Sequence, residues 1–231
     1  MEYPKITHLY KYYPYNSNSL SVLIDEQVWF SKPSSLNDPF DLDIDLKNHM
    51  NSGNFVYAIE DLKNQPGISH ERKRKLEQIQ KLEITSPDPI ARGEAMEVIR
   101  NKLCEDLQNS GMFCMSELND NILMWSHYTN NHKGFCVEFV RSSQNQLGDI
   151  ERTNPAVYTC HYPIVDLFSD EGKKRSYDDL FLTKWKGWSY EREWRMINEE
   201  GDIALPLPGD ISAVIFGLKM PLQNKETIKK Q

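Results

Sequence analysis

Hydrophobic and polar positions along this 231-residue chain change period several times, and the changes mark its elements. ITHLYKYY near the N-terminus is aromatic and extended, which predicts a strand. SNSLSVLID opens on polar capping residues and passes into an apolar helical pattern. QVWFSKP alternates like a strand and stops at proline. SSLNDPFD follows as turn chemistry, in which Asn, Asp and Pro together fix a loop.

Residues 55–110 read differently. Leu76, Ile79 and Leu82 recur at helical spacing on a charged background, and Ala95, Val98, Ile99 and Leu103 form a second stripe beyond a Ser-Pro and an Asp-Pro step. The pattern predicts a helical insert whose charges form a solvated face.

From Gly111 onward the pattern is mixed. GMFCMSE predicts a short buried strand. NDNILMWSHYTNNHKG predicts a short helix with Gly134 at its C-cap. In FCVEFV, Phe135, Val137 and Phe139 alternate against Cys136 and Glu138, and AVYTCHYP predicts a further strand. SYDDLFLTKWKGW reads as helix; EREWRMI, DIALPL and ISAVIFGLKM read as strands; PLQNKETIKKQ begins a helix. This irregular order lacks the strand–helix rhythm of a doubly wound sheet. There is no G-x-G-x-x-G fingerprint and no P-loop motif. The expected fold class is α+β, one domain over residues 1–231, with a mixed, mostly antiparallel central sheet, peripheral helices and the insert near 55–110.

Composition adds limits. Hydrophobic residues make up 39% of the chain and charged residues 26%, the balance of a globular protein. No apolar run reaches the length of a membrane span, and MEYPKITHLYKYYPY has no apolar signal core, so the expected location is cytoplasmic. A net charge of −7 argues against broad, charge-driven nucleic-acid binding, though not against a local basic site. Cys104, Cys114, Cys136 and Cys160 include no C-x-x-C pair, so they are expected to be free and mostly buried.

Four clusters carry candidate chemistry: Tyr10 and Lys11 in LYKYY; Asn37, Asp38 and Asp41 in LNDPFD; Trp125, His127, Tyr128, His132 and Lys133 in the MWSHYTNNHKG stretch; and Lys184, Tyr190, Glu191, Glu193 and Arg195 around WKGWSYEREWRMI. If EREWRMI is a strand, Trp194 and Met196 look like core. Glu191, Glu193 and Arg195 then share the opposite face. That face is either solvated and laced with weak ion pairs, or the wall of a cleft in which Arg195 holds one carboxylate while the other does chemistry. In a helix, Met124 and Tyr128 share one face, and Trp125, Thr129 and His132 follow another. His127 is a packing residue or a base. His127 and His132 are five apart rather than four, so no metal site is assigned. The NDPF step is either a fixed turn with Phe40 packed beneath it, or a place where Asn37 and Asp38 present an amide and a carboxylate to a ligand.

These four clusters, in this order, resemble a large bacterial family catalogued as domain of unknown function 2971. Its pattern is matched by Leu9–Tyr12, by Phe30–Pro33 with Asn37–Asp41, by Met124–Tyr128 with His132–Gly134 and Glu138-Phe139, by Tyr190–Arg195, and by Gly217–Lys219. Asp41 stands where that family usually has glutamate, and family members usually run further past GLKMP. A looser layout likeness is to ADP-ribosyltransferases, whose sheets are split. It implies Glu193 or Glu191 as the glutamate that grips the nicotinamide ribose, Lys11 in the place of the usual histidine or arginine, and Tyr128 stacked on nicotinamide.

Three readings follow. One is an enzyme of NAD or nucleotide chemistry, in a toxin or phage-defence setting, with NAD as substrate rather than resident cofactor. It expects Lys11, Asn37, His127, Tyr128 and Glu193 to converge on a small-molecule nucleotide ligand. The second is a cation-dependent hydrolase or nuclease using Asp38, Glu191 and Glu193. The third is a non-enzymatic nucleotide- or partner-binding module.

Overall fold

The computed structural model of the chain describes residues 3–38, 41, 56, 59–60, 63–64, 69–85, 97, 101, 104–161 and 179–230. The chain divides into two compact units: Met1–Asp41, Asn109–Cys160 and Lys184–Gln231 form the first, and Leu42–Gln108 with His161–Thr183 the second.

The first unit is built on a six-stranded antiparallel sheet, so the α+β class holds. In chain order the strands among the described residues are β1 (His8–Tyr13), β2 (Gln27–Phe30), β3 (Gly111–Ser116), β4 (Phe135–Val140), β5 (Thr153–Pro155), β6 (Val157–Thr159), β7 (Thr183–Trp185), β8 (Glu193–Asn198), β9 (Ile203–Pro206) and β10 (Ile211–Phe216). The main sheet runs β10-β4-β1-β3-β8-β5, and β2-β9 and β6-β7 form two-stranded sheets. Helices among the described residues include α1 (Ser17–Ile24), α2 (His70–Thr85), α3 (Ile122–Tyr128) and α4 (Leu222–Ile228).

Period-two alternation gives the main sheet two different faces. Leu9, Phe113, Phe135, Val137, Phe139, Trp194 and Met196 enter the main core with Val22 of α1, Val28 and Phe30 of β2 and Ile228 of α4. α1 starts where Asn16 accepts a hydrogen bond from the Ser19 N–H (2.8 Å), as its polar opening predicts. The opposite face carries a smaller cluster of Tyr12, Cys136, Met124 and Trp125, so α3 packs there.

The sheet is not continuous at its centre. β1 pairs with β4 along its whole length, from His8↔Val140 to Tyr13↔Phe135. With β3 it pairs only at Tyr10↔Ser116, and beyond that point the two strands part. Past the parting, Met112 exchanges both backbone hydrogen bonds with Ser31 instead (2.8 and 3.0 Å). Lys11 reaches across and donates from Nζ to the Cys114 carbonyl (2.7 Å), satisfying one acceptor that the broken ladder leaves over.

Two expectations are corrected here. SYDDLFLTKWKGW is not one helix: within it 179–182 are helical, Thr183–Trp185 is β7, and Lys186–Glu191 is a 3₁₀ turn. Gly134 does not cap α3, which ends at Tyr128 with Thr129 as its C-cap. The next residues, Asn130, Asn131 and His132, all have positive φ (50°, 56° and 66°), which turns the chain back toward β4. Gly134 is needed because a Cβ there would lie 2.0 Å from the Tyr13 carbonyl oxygen.

In the second unit, α2 buries Leu76 and Ile79, and Ile59 and Leu107 are buried as well. Lys63 binds Glu60 (2.7 Å) and Gln80 (2.8 Å). Leu82's side chain, the stripe Ala95, Val98, Ile99 and Leu103, and Phe40 lie outside the described residues.

Candidate functional site

The parting of β1 and β3 opens into a cavity of about 210 Å³. Tyr10, Lys11 and Tyr12 of β1 form one wall, and Met112, Cys114 and Met115 of β3 another. Ser31, Ser35, Leu36, Asn37 and Asp41 close it from the segment after β2; Met124 and Tyr128 of α3, with Lys184, Glu191 and Glu193, complete it.

How Glu191 and Glu193 come together differs from the strand reading. Glu191 ends the 3₁₀ turn Lys186–Glu191, and β8 begins only at Glu193. Between them Arg192 takes a left-handed conformation (φ 47°, ψ 50°). That residue resets the chain direction, so both carboxylates reach the same place from two different elements. Arg192 itself turns outward to Glu117 (3.0 and 2.7 Å), which also accepts from the Trp194 indole N–H (2.9 Å). Glu193 and Arg195 do share the strand face opposite Trp194 and Met196. That face is not solvated: Arg195 is 0% exposed and Glu193 4%.

The buried charges form one connected chain. Arg195 donates to Asp41 through both terminal nitrogens (2.9 and 2.6 Å) and from Nε to Glu193 Oε1 (2.8 Å). Lys184 Nζ donates to Glu193 Oε2 and to Glu191 Oε2 (2.6 Å for Glu191). Tyr128 donates its hydroxyl proton to Glu191 Oε1 (2.6 Å), and the Asn37 amide donates to the Tyr128 oxygen (2.8 Å). The donor order is forced: an ionised Glu191 only accepts, so the Tyr128 proton must point at it, and Asn37 must then present its NH₂. Burying an ion costs several kcal/mol unless it is paired, and here every carboxylate meets a cation with good hydrogen-bond geometry.

The surroundings push the two glutamates apart. Burial would raise Glu193, but Arg195 and Lys184 outweigh it and hold its carboxyl well below the usual range. Burial raises Glu191 above the ordinary glutamate value, with Lys184 and Tyr128 only partly opposing it. Burial also raises Asp41 against the pull of Arg195. Lys184 is opposed by burial yet held above the ordinary lysine value by Glu193 and Glu191. Burial and Glu191 raise Tyr128, which keeps it a proton donor. Two neighbouring carboxylates with opposite shifts suit separate roles: Glu193 as a fixed anion and Glu191 as a group able to exchange a proton.

Of the residues singled out from the sequence, Tyr10, Lys11, Asn37, Asp41, Tyr128, Lys184, Glu191 and Glu193 line the cavity. Arg195 stands behind the wall and holds Glu193 and Asp41. Trp125 does not line the cavity; it is buried against Tyr12 (5.2 Å, 83°) and stacked on His132 (6.3 Å), with its indole N–H on the Asn119 carbonyl. Asp38 is buried but outside the cavity wall. His127 is exposed beside Tyr128 and does not enter the cavity, because it points off the far side of α3. Sequence reasoning missed Asp41 as the partner of Arg195, although it sat at the acidic position of the NDPFD motif. Cys114 and Ser35 gave no signal.

Cys136 is buried, Cys104 and Cys114 are intermediate and Cys160 is exposed, so fewer of the thiols are buried than expected. Burial pushes Cys114 up to about 12 and raises Cys136 as well. At mildly alkaline pH an alkylating reagent is therefore expected to modify Cys160 in the folded protein and to spare Cys114 and Cys136 until it unfolds. Mass spectrometry of labelled peptides checks this, and rapid native labelling of Cys114 would contradict it.

The geometry defines an α+β unit with a charged, tyrosine-lined cavity where its antiparallel sheet parts. A family model described as a protein of unknown function, DUF2971, matches residues 124–196, the stretch that supplies Met124, Tyr128, Lys184, Glu191, Glu193 and Arg195. No curated protein and no solved structure matches the chain. No group of three or more His, Cys, Asp or Glu side chains among the described residues is placed to hold a metal ion. No helix among them is long and apolar enough to cross a membrane.

Proposed function

We propose that this cavity is the active site of a nucleotide-processing enzyme that cleaves the bond between nicotinamide and ribose in NAD, by hydrolysis or ADP-ribosyl transfer. The observation that carries the reading is Glu191: a buried carboxylate on the cavity wall, oriented by Tyr128 and Lys184, with its pKa raised by burial. The bond that breaks joins the ribose C1′ to the ring nitrogen, and its electron pair leaves with neutral nicotinamide. Positive charge develops at C1′, where the Glu191 carboxylate stabilises it. Water adds to C1′ in the hydrolytic version, and its proton passes to Glu191 and then to solvent. Glu193 is less suited to this role, because two cations, Arg195 and Lys184, hold it, whereas Glu191 is held by Lys184 and the neutral Tyr128 hydroxyl.

The same pairing speaks against a cation-dependent hydrolase. Lys184 and Arg195 occupy the carboxylates that a divalent ion would need. The binding-module reading is favoured by the internal charge pairing, which needs no turnover to explain it. Nicotinamide release from NAD, measured for the wild type beside Glu191→Gln, separates the two. Release that the variant loses supports the enzyme; ADP-ribose binding with no release supports the module.

A further inference from the structure

Of the cations on the cavity wall, Lys184 is paired with Glu191 and Glu193, whereas Lys11 is paired with no carboxylate of the described residues. Its half-buried ammonium donates to the neutral Cys114 carbonyl (2.7 Å) and lies over the Phe113 ring at 5.1 Å. No carboxylate among the described residues lies within ion-pair distance of it. An ammonium has three N–H donors, so two remain for whatever enters the cavity. A single neutral acceptor offsets only part of the cost of taking such a charge out of water. Ser31 and Ser35 line the same cavity, and their hydroxyls make no side-chain hydrogen bond to the described residues.

We infer that Lys11, with Ser31 and Ser35, forms an anion subsite for the phosphate of a phosphorylated ribose. The inference rests on reading the cavity as a nucleotide site. Charge sets the orientation of the ligand. Glu191 and Glu193 repel a phosphate and attract a developing cation, so the sugar C1′ faces them and the phosphate faces Lys11. Size agrees: a volume of about 210 Å³ is below that of a typical drug-sized pocket and fits one end of a dinucleotide rather than the whole.

The test uses two ligand pairs that differ only by a phosphate: ribose 5-phosphate against ribose, and nicotinamide mononucleotide against nicotinamide riboside. Wild type is expected to bind ribose 5-phosphate about tenfold or more tightly than ribose by calorimetry, and to prefer the mononucleotide in kcat/KM by a similar factor. Lys11→Gln keeps an N–H for the Cys114 carbonyl but removes the charge, and is expected to erase both preferences. Lys11→Arg is expected to keep them. Thermal unfolding of each variant confirms that it is folded. Equal binding of both sugars by wild type, no binding of ribose 5-phosphate, or a phosphate preference that survives Lys11→Gln overturns the inference. Its failure is distinguishable from failure of the enzyme reading. If nicotinamide is released from both mononucleotide and riboside without preference, only the phosphate anchor falls. If ribose 5-phosphate binds through Lys11 and no nicotinamide is ever released, only the enzyme reading falls.

Discussion

Arg195→Met is expected to destabilise the protein by about 3–5 kcal/mol, the cost of leaving buried charges without their partner. Arg195 is fully buried, and two carboxylates depend on it: Asp41 loses both of its hydrogen bonds to the guanidinium, and Glu193 loses one. Methionine fills much of the volume, so the loss reports charge rather than a cavity. Adding Asp41→Asn to Arg195→Met is expected to recover part of the loss, because Glu193 keeps Lys184 and Asp41 no longer carries a charge. The pH dependence has a defined sign. A carboxyl whose folded value is raised above its unfolded one, as burial does for Asp41, contributes stability at low pH and loses it as pH rises through the folded value. Removing Arg195 raises Asp41 further, so the deficit of Arg195→Met shrinks as pH falls. Urea unfolding across the acid range measures this. A deficit below about 1 kcal/mol, the size of an exposed pair, would show that the cluster is solvated.

If the cavity cleaves NAD as proposed, Glu191→Gln is expected to lower nicotinamide release by roughly 10²- to 10⁴-fold, the range of a lost acid–base or charge-stabilising group. The substitution is nearly isosteric. Glutamine still accepts from Tyr128, and Lys184 keeps Glu193, so the fold is retained. Glu193→Gln is a poorer probe, since it strips Arg195 and Lys184 of their common anion and changes stability together with activity. Tyr128→Phe is expected to have a smaller effect, because it removes an orienting donor and leaves the carboxylate. Steady-state rates with melting temperatures for all three variants separate these cases. Full activity in Glu191→Gln would remove Glu191 from the chemistry.

Much of the fold was legible because alternation is a short-range signal. Phe135, Val137 and Phe139 point into the main core as their spacing predicted, and Met124 and Tyr128 share the cavity-facing side of α3 while Trp125 and Thr129 face inward. What alternation could not reveal was a break in its own phase. Arg192 adopts a left-handed backbone, which few non-glycine residues do, and nothing in its side chain announces this. For that reason the alternation of EREWRMI extends a strand to Glu191, which β8 does not include. The parting of β1 from β3 was equally hidden, since both strands carry ordinary strand residues and the parting depends on Ser31 taking the place beside Met112. His127 has the chemistry of a base, but it is exposed on α3 and is not among the residues lining the cavity.

The cavity is assembled from pieces of chain that lie far apart. Asp41 and Arg195 are 154 residues apart, Lys11 and Cys114 are 103 apart, and Asn37 and Tyr128 are 91 apart. Each contact closes a long loop, and the entropy lost in closure precedes the energy gained. Refolding is therefore expected on the millisecond-to-second scale of topologies rich in distant pairings, which stopped-flow fluorescence of the tryptophans would time. The sheet that frames the cavity is no more local, since its β1–β4 ladder joins residues as distant as His8 and Val140, so on that clock cavity and sheet are expected to form together.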